Sequence, residues 1–178
     1  MELGQGIYDA DGNVVALEGI VLDMTEPKKK DLQIAYLREH DFLTGLYNRN
    51  YLLQEKEQLD RGEFLPLSVA ICDIDGLRVI NNAYGHEEGD HLIIKTAQLI
   101  KNCLRDEYVF GHTGGGEFMI LMPNTDAQAA EELGTAIKNS IDSYNRVNKN
   151  ALYAISLSIG HSTKEREEQD LQTMLKEA

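Results

Sequence analysis

Apolar positions along this chain keep two rhythms, one near two residues and one near 3.6, and the switches between them mark the elements. Residues 1–24 alternate as two strands around Asp9-Ala10-Asp11-Gly12-Asn13, a run of turn formers, with Val14 to Leu22 as the second strand. Two strands by themselves are marginal in water, so this piece is expected to belong to something larger or to pack on a partner. Thr25-Glu26-Pro27 starts a helix, with Thr25 as cap and Pro27 in the first turn. Leu32, Ala35 and Tyr36 follow at helical spacing, which predicts a connecting helix over 25–40. From Asp41 onward the pattern is that of a single α/β domain. Asn48 to Leu59 reads as helix, and Leu65 to Cys72 as a buried central strand with an almost unbroken apolar run. Glu87 to Leu104 is an amphipathic helix with Leu92, Thr96, Leu99 and Cys103 on one face. Asp126 to Asn148 is another, striped by Ala129, Leu133, Ala136, Ile137 and Ile141. Tyr153 to Gly160 alternates as a strand, and Gln169 to Ala178 begins a last helix.

Between the two long helices, Tyr108-Val109-Phe110 and Phe118-Met119-Ile120-Leu121-Met122 flank Gly114-Gly115-Gly116-Glu117. Two strand-like runs joined by glycines predict a β-hairpin. Its turn carries one acid beside backbone free of side chains, where a phosphate can approach the main chain closely.

The bulk properties narrow the field. Net charge is −13, from 30 acids against 17 bases, so a general attraction to nucleic acid or to an anionic membrane is not expected. A bound nucleotide would need local bases or metal ions to offset that field. No apolar run approaches the roughly 20 residues of a membrane span, and no signal peptide is visible, so the expected setting is cytoplasmic. Cys72 and Cys103 sit in apolar patterns and read as reduced core thiols; no metal-type Cys/His spacing is present.

Three further segments carry candidate chemistry. The central strand ends in Asp73-Ile74-Asp75-Gly76, which puts carboxylates at a sheet end, where Mg²⁺ could take them together with substrate phosphates. A simple strand-end turn explains the same residues. In Asn81-Asn82-Ala83-Tyr84-Gly85-His86-Glu87-Glu88-Gly89-Asp90, the Asn81 amide and the Asp90 carboxylate can together read a purine edge. A loop followed by a helix cap is the plainer account. His86 reads as a solvated loop histidine or a general base, Tyr84 as packing, and Arg105 as a ligand contact or a helix-end charge.

Taken together and in order, Asp41-Phe42-Leu43-Thr44-Gly45-Leu46-Tyr47-Asn48-Arg49, Asp73-Ile74-Asp75, Asn81…Tyr84-Gly85-His86…Gly89-Asp90, Gly114-Gly115-Gly116-Glu117-Phe118 and Ser156-Leu157-Ser158-Ile159-Gly160 closely resemble the GGDEF family of diguanylate cyclases. The resemblance covers roughly residues 41–178. It implies an α/β (α+β) fold, with a central mixed, largely antiparallel sheet flanked by helices, similar to nucleotidyl cyclases and polymerase palms. It also implies one GTP per protomer, two protomers face to face, and Mg²⁺ or Mn²⁺ activating a ribose 3′-hydroxyl that attacks the partner's α-phosphate. Cyclic di-GMP and pyrophosphate result. Carried over by position, Asp73 ligates metal with the Ile74 carbonyl nearby, and Glu117 belongs to the same catalytic, metal-facing turn. Asn81 and Asp90 read guanine, Gly114 and Gly115 cradle phosphate, and Arg78 stands where the family has a lysine. Residues 5–24 resemble the C-terminal end of a PAS sensor domain, placing a sensor upstream and a helical linker over 25–40.

The departures matter as much. The family's turn carries two acids, and the first is here Gly116, which supplies no ligand. The inhibitory Arg-x-x-Asp motif reads Arg105-Asp106-Glu107-Tyr108, so its second anchor is absent, and the usual Arg-Tyr before the glycines is His112-Thr113. The chain stops before the family's final helical segment, as expected of a fragment. Three readings stay open. One is a degenerate cyclase domain that binds GTP with little or no synthesis. The others are an active cyclase with an unusual turn and a dimerisation or signalling module that binds no nucleotide.

Overall fold

The computed structural model describes residues 2–9, 13–21, 36–61, 63–149 and 151–169. The chain divides into two units, residues 1–37 and 38–178. In the first, β1 (Glu2–Tyr8) and β2 (Val14–Val21) pair antiparallel, as the alternation predicts. The Asp9 carboxylate accepts the Asn13 backbone N–H at 2.8 Å, an Asx-type closure of the hairpin. Most of the expected linker helix lies outside the described residues; residues 36–39 are helical. The expected helix over 169–178 also lies almost wholly outside them.

The second unit is built on a five-stranded sheet in the order β3-β5-β6-β4-β7. The strands are β3 (Tyr47–Asn48), β4 (Leu67–Ile74), β5 (Val109–Gly114), β6 (Glu117–Met122) and β7 (Leu157–Lys164). β3 runs parallel to β5, and the other neighbours are antiparallel. β4 pairs on both sides and is covered on both faces, Ala70, Cys72 and Ile74 in one core cluster and Leu67 and Val69 in the other, which is why its sequence is almost continuously apolar.

Helices cover both faces. α1 (Arg49–Leu59) is capped by Asn48, whose side chain accepts the Tyr51 N–H, and buries Leu52 and Leu59 against Val69, Met119 and Leu121. On the opposite face lie α3 (His86–Lys101) and α4 (Ala127–Val147), the latter capped by Asp126. They pack Leu92, Ile93, Ala97, Ile100, Leu133, Ile137 and Ile141 onto Ala70, Cys72, Phe118, Ile120 and Met122. The Cys72 thiol sits in this layer, and burial pushes its pKa up to about 12, so it is an inert core group.

Four details differ from the sequence reading. The buried stripe of α3 is Leu92, Ile93, Thr96, Ala97 and Ile100, while Leu99 and Cys103 are only partly covered. Within α4, Ala130 is buried and Ala136 exposed, because Ala130, Leu133, Ile137 and Ile141 keep the helical period and position 136 falls off that face. The last strand begins at Leu157 rather than Tyr153, since only from Leu157 does β4 offer ladder partners. The segment between β4 and α3, read as a loop, contains α2 (Leu77–Tyr84). Gly111 of β5 allows the close approach of β3: a Cβ there would stand 2.5 Å from the Tyr47 carbonyl oxygen.

Candidate active site

The acids and glycines singled out above converge at one end of the sheet. Asp73 is the penultimate residue of β4 and faces Glu117 of β6 across the ladder. Ile74 donates its N–H to the Gly116 carbonyl at 3.0 Å, locking the glycine turn to the end of the central strand. Directly opposed residues share a face, so Asp73 and Glu117 rise on the same side of the sheet. Thr113 of β5 donates its hydroxyl to Glu117 Oε1 at 2.5 Å and draws that side chain toward β5, away from β4.

Gly116 is the decisive position. A Cβ built on it would lie 3.4 Å from Asp73 Oδ1, 3.2 Å from Ile74 Cβ and 3.3 Å from Leu77 Cδ2. A side chain here would therefore begin beside the Asp73 carboxylate. The next glycines differ in kind. Gly114 (φ 121°) and Gly115 (φ 60°) adopt left-handed backbone that favours glycine, and a Cβ on either would meet nothing within 4 Å. That side of the turn is open for a ligand to reach the main chain.

Asp75 has a different task from the one its spacing suggested. The strand ends at Ile74, and Ser156 and Ser158 donate hydroxyls to the two Asp75 oxygens at 2.6 and 2.7 Å. These bonds, Ser156 first, hold its pKa below the usual carboxylate value. Asp75 thus anchors the approach to β7. Among the described residues no group of three or more acids, histidines or cysteines is placed to hold a metal ion. The donors on hand are Asp73 and the neighbouring Ile74 carbonyl. Such a set fits one Mg²⁺ that arrives with phosphate oxygens, because Mg²⁺ is commonly held by one or two carboxylates plus substrate phosphates. It lacks the second acid.

Asn81 and Asp90 lie on α2 and α3, which meet at Gly85. The Asn81 side chain packs so closely on α3 that a Cβ on Gly89 would fall 1.8 Å from its Oδ1. That oxygen is buried and has no hydrogen-bond partner. An orphaned acceptor next to the exposed Asp90 carboxylate suits a ligand edge rich in N–H donors, as guanine is. Arg78 is exposed in the first turn of α2, and His86 is exposed at the start of α3. Tyr84 is half exposed, with its ring 6.0 Å from that of Tyr153.

Arg105 stands at the mouth of a separate cavity of about 310 Å³, lined also by His40, Leu46, Tyr47, Tyr108 and Phe110. Its guanidinium lies 5.9 Å from the Tyr108 ring centroid, and the Tyr108 hydroxyl accepts from Thr125 at 3.2 Å. Tyr108 therefore offers a ring where the motif has a carboxylate.

Two contacts were not visible as motifs. His112, buried in β5, directs Nε2 at the Gly115 carbonyl, 2.9 Å away, and Nδ1 at Asp41 Oδ1, 3.0 Å away. Burial pushes the Asp41 pKa up. The Thr44 hydroxyl, the Thr44 N–H and His112 outweigh that effect and leave it lowered. Tyr153 donates to Glu88 Oε2 at 3.1 Å, tying the segment before β7 to α3. Burial first, and then Glu88, push the Tyr153 pKa up to about 12.

Known proteins of one family resemble this chain in sequence and in fold. A family model described as "Diguanylate cyclase, GGDEF domain" matches residues 38–178. A diguanylate cyclase of Vibrio cholerae is 32% identical over 135 residues, 74% of this chain and 42% of its own. Diguanylate cyclase DgcM of Escherichia coli is 32% identical over 144 residues, 79% of this chain and 34% of its own. The coiled coil and GGDEF domain of DgcB from Caulobacter crescentus, solved in complex with c-di-GMP, superposes with a TM-score of 0.74 at 23% identity. That match covers 85% of this chain and 82% of the other, and at such identity the likeness is one of fold. The chain spans less than half the length of these two sequence relatives.

Proposed function

Because the chain belongs to the GGDEF family of diguanylate cyclases, we propose that residues 38–178 form a degenerate cyclase domain that binds GTP and makes little or no cyclic di-GMP. The observation that carries this reading is the empty place beside Asp73: a Cβ on Gly116 would stand 3.4 Å from the Asp73 carboxylate, and glycine puts no acid there. The guanine end is better preserved. The unpaired Asn81 Oδ1 and the exposed Asp90 face donors on the base, and the open Gly114–Gly115 backbone faces phosphate. Asp73 with the Ile74 carbonyl would hold a single Mg²⁺ or Mn²⁺, whose contribution when bound is to offset phosphate charge. Glu117 does not replace the missing acid, because Thr113 holds it toward β5. Losing one transition-state contact of this kind costs on the order of 10²–10³ in rate.

Arg105 without an acidic partner leaves the inhibitory site degenerate as well, with Tyr108 in the second position. Two protomers face to face would be needed for synthesis, so a domain that only binds GTP could regulate a neighbour as monomer or dimer. Residues 1–24, whose described part is the β1–β2 hairpin, would be the end of a PAS-like sensor domain, joined through residues 25–40. No helix of the described residues is long and apolar enough to cross a membrane.

The test is to incubate the protein with GTP and Mg²⁺ or Mn²⁺, separate the products chromatographically, and measure GTP affinity by calorimetry. Binding without cyclic di-GMP is the expected result. Product at rates usual for a cyclase overturns the degenerate reading, and no GTP binding leaves only a signalling module.

A further inference from the structure

The His112 contacts join two segments that the chain keeps far apart. Asp41 belongs to the loop leading into β3, and Gly115 belongs to the glycine turn. Both atoms that His112 faces are acceptors: a carboxylate oxygen at 3.0 Å and a carbonyl oxygen at 2.9 Å. A neutral imidazole has one N–H and one lone pair. It can serve one of the two, and its lone pair would then face the other oxygen inside a buried site. Only the doubly protonated ring satisfies both. The Nδ1 contact is an ion pair whose angle falls short of an aligned hydrogen bond, so the charge of Asp41 matters more there than direction does. The Phe118 ring covers His112 from β6, 5.2 Å between centroids. Among the described residues Asp41 is the charged group in contact with it.

We propose that His112 is a positioning residue: as an imidazolium it fastens the Gly114–Gly116 turn to the Asp41 loop, so the order of the backbone facing the phosphate depends on one proton. The Ile74 N–H holds the Gly116 end of the turn, whereas Gly115 has a left-handed conformation and a Cβ built on it would meet nothing within 4 Å, so the His112 contact is what reaches its carbonyl. When the ring gives one proton to water, one of the two contacts is lost and the turn loosens. That the turn's ligand is a nucleotide rests on the function proposed above; the latch itself does not.

The experiment therefore starts without nucleotide. Long-range ¹⁵N–¹H correlation of the labelled His112 ring separates imidazolium from either neutral tautomer, and the heteronuclear NOE of the Gly115 and Gly116 amides reads turn order. The expected result is a doubly protonated ring at the acid end of the pH series, converting to a single-N–H ring as pH rises, with the NOE falling over the same range. Asp41→Asn keeps an oxygen for Thr44 but removes the charge, so the fall should begin at lower pH. His112→Gln should abolish the pH dependence. A ring that carries one proton throughout the pH range in which the fold is intact, or a turn equally ordered on both sides of the change, overturns the proposal. A pH response that survives in His112→Gln also overturns it. With GTP added, affinity should drop on the order of tenfold across the transition, as the loss of one charge-assisted contact predicts. Failure to bind GTP at any pH counts against the proposed function, and the nucleotide-free titration still decides the latch.

Discussion

Replacing Gly116 by Asp puts a carboxylate beside Asp73, and the structure sets what that should do. The new Cβ would start 3.4 Å from Asp73 Oδ1 and 3.2–3.3 Å from Ile74 and Leu77. Gly116 lacks the positive φ of Gly114 and Gly115, so the backbone accepts a side chain and the apolar neighbours need to give only a few tenths of an ångström. The charge is the larger effect. Two carboxylates about 4 Å apart repel by about 4 kcal/mol at an effective dielectric of 20. Asp73 is exposed at the sheet end, and solvent screening reduces this to about 1–2 kcal/mol. Without divalent cation, Gly116→Asp should therefore lower Tm by roughly 2–8 °C. Millimolar Mg²⁺ should restore it, because a cation between two acids turns repulsion into binding. Gly116→Ala carries the steric part alone and should show neither the large drop nor the Mg²⁺ response. In the product assay Gly116→Asp should make cyclic di-GMP on the order of 10²–10³ faster than the unaltered chain. The reasoning is refuted if Gly116→Asp shows no Mg²⁺-dependent rise in Tm beyond that of Gly116→Ala and no gain in product.

Further expectations follow from contacts elsewhere. Gly89→Ala and Gly111→Ala both bring a Cβ too close, but to different atoms. The first meets the mobile end of Asn81 and the second the Tyr47 backbone. Gly89→Ala should change Tm little while weakening GTP binding about tenfold or more as Asn81 is displaced, whereas Gly111→Ala should cost about 2–3 kcal/mol in a denaturant melt. Lys164 is buried at 2% exposure and bonds to the half-exposed Asp60 carboxylate. Asp60→Ala strands a buried cation and should destabilise by about 3 kcal/mol, and Lys164→Met, which leaves only an accessible carboxylate, by about 1 kcal/mol. The folded-state pKa of Asp75 is lowered by its two serines, so its contribution is present above the ordinary carboxylate range and disappears as pH falls through the lowered value. Ser156→Ala with Ser158→Ala should flatten the fall of Tm below about pH 4.

Much of this molecule could be read from one dimension. The hairpin around Gly114–Glu117, the helices that start near Asn48 and Asp126, and the continuous apolar strand β4 all announce themselves through local periodicity and turn chemistry. The helix α2 did not. It spans only Leu77–Tyr84 between glycines 76 and 85, and so short a segment between turn formers reads as a loop even though Leu77 and Ile80 pack on the core. The start of the last strand was misplaced for a related reason. Alternation from Tyr153 is local, but a strand exists only where a neighbour supplies its hydrogen bonds, and β4 does so from Leu157.

By itself the sequence determined the family and the glycine at position 116, because motif order and residue type are one-dimensional facts. Only the tertiary structure decided what those residues do to one another. It turned Glu117 toward Thr113, bound Asp75 to two serines on a distant strand, left Asn81 Oδ1 unpaired against Gly89, and set His112 between Asp41 and the turn. These are contacts between segments far apart in the chain. Their distances depend on strand register and helix packing, which no local pattern encodes.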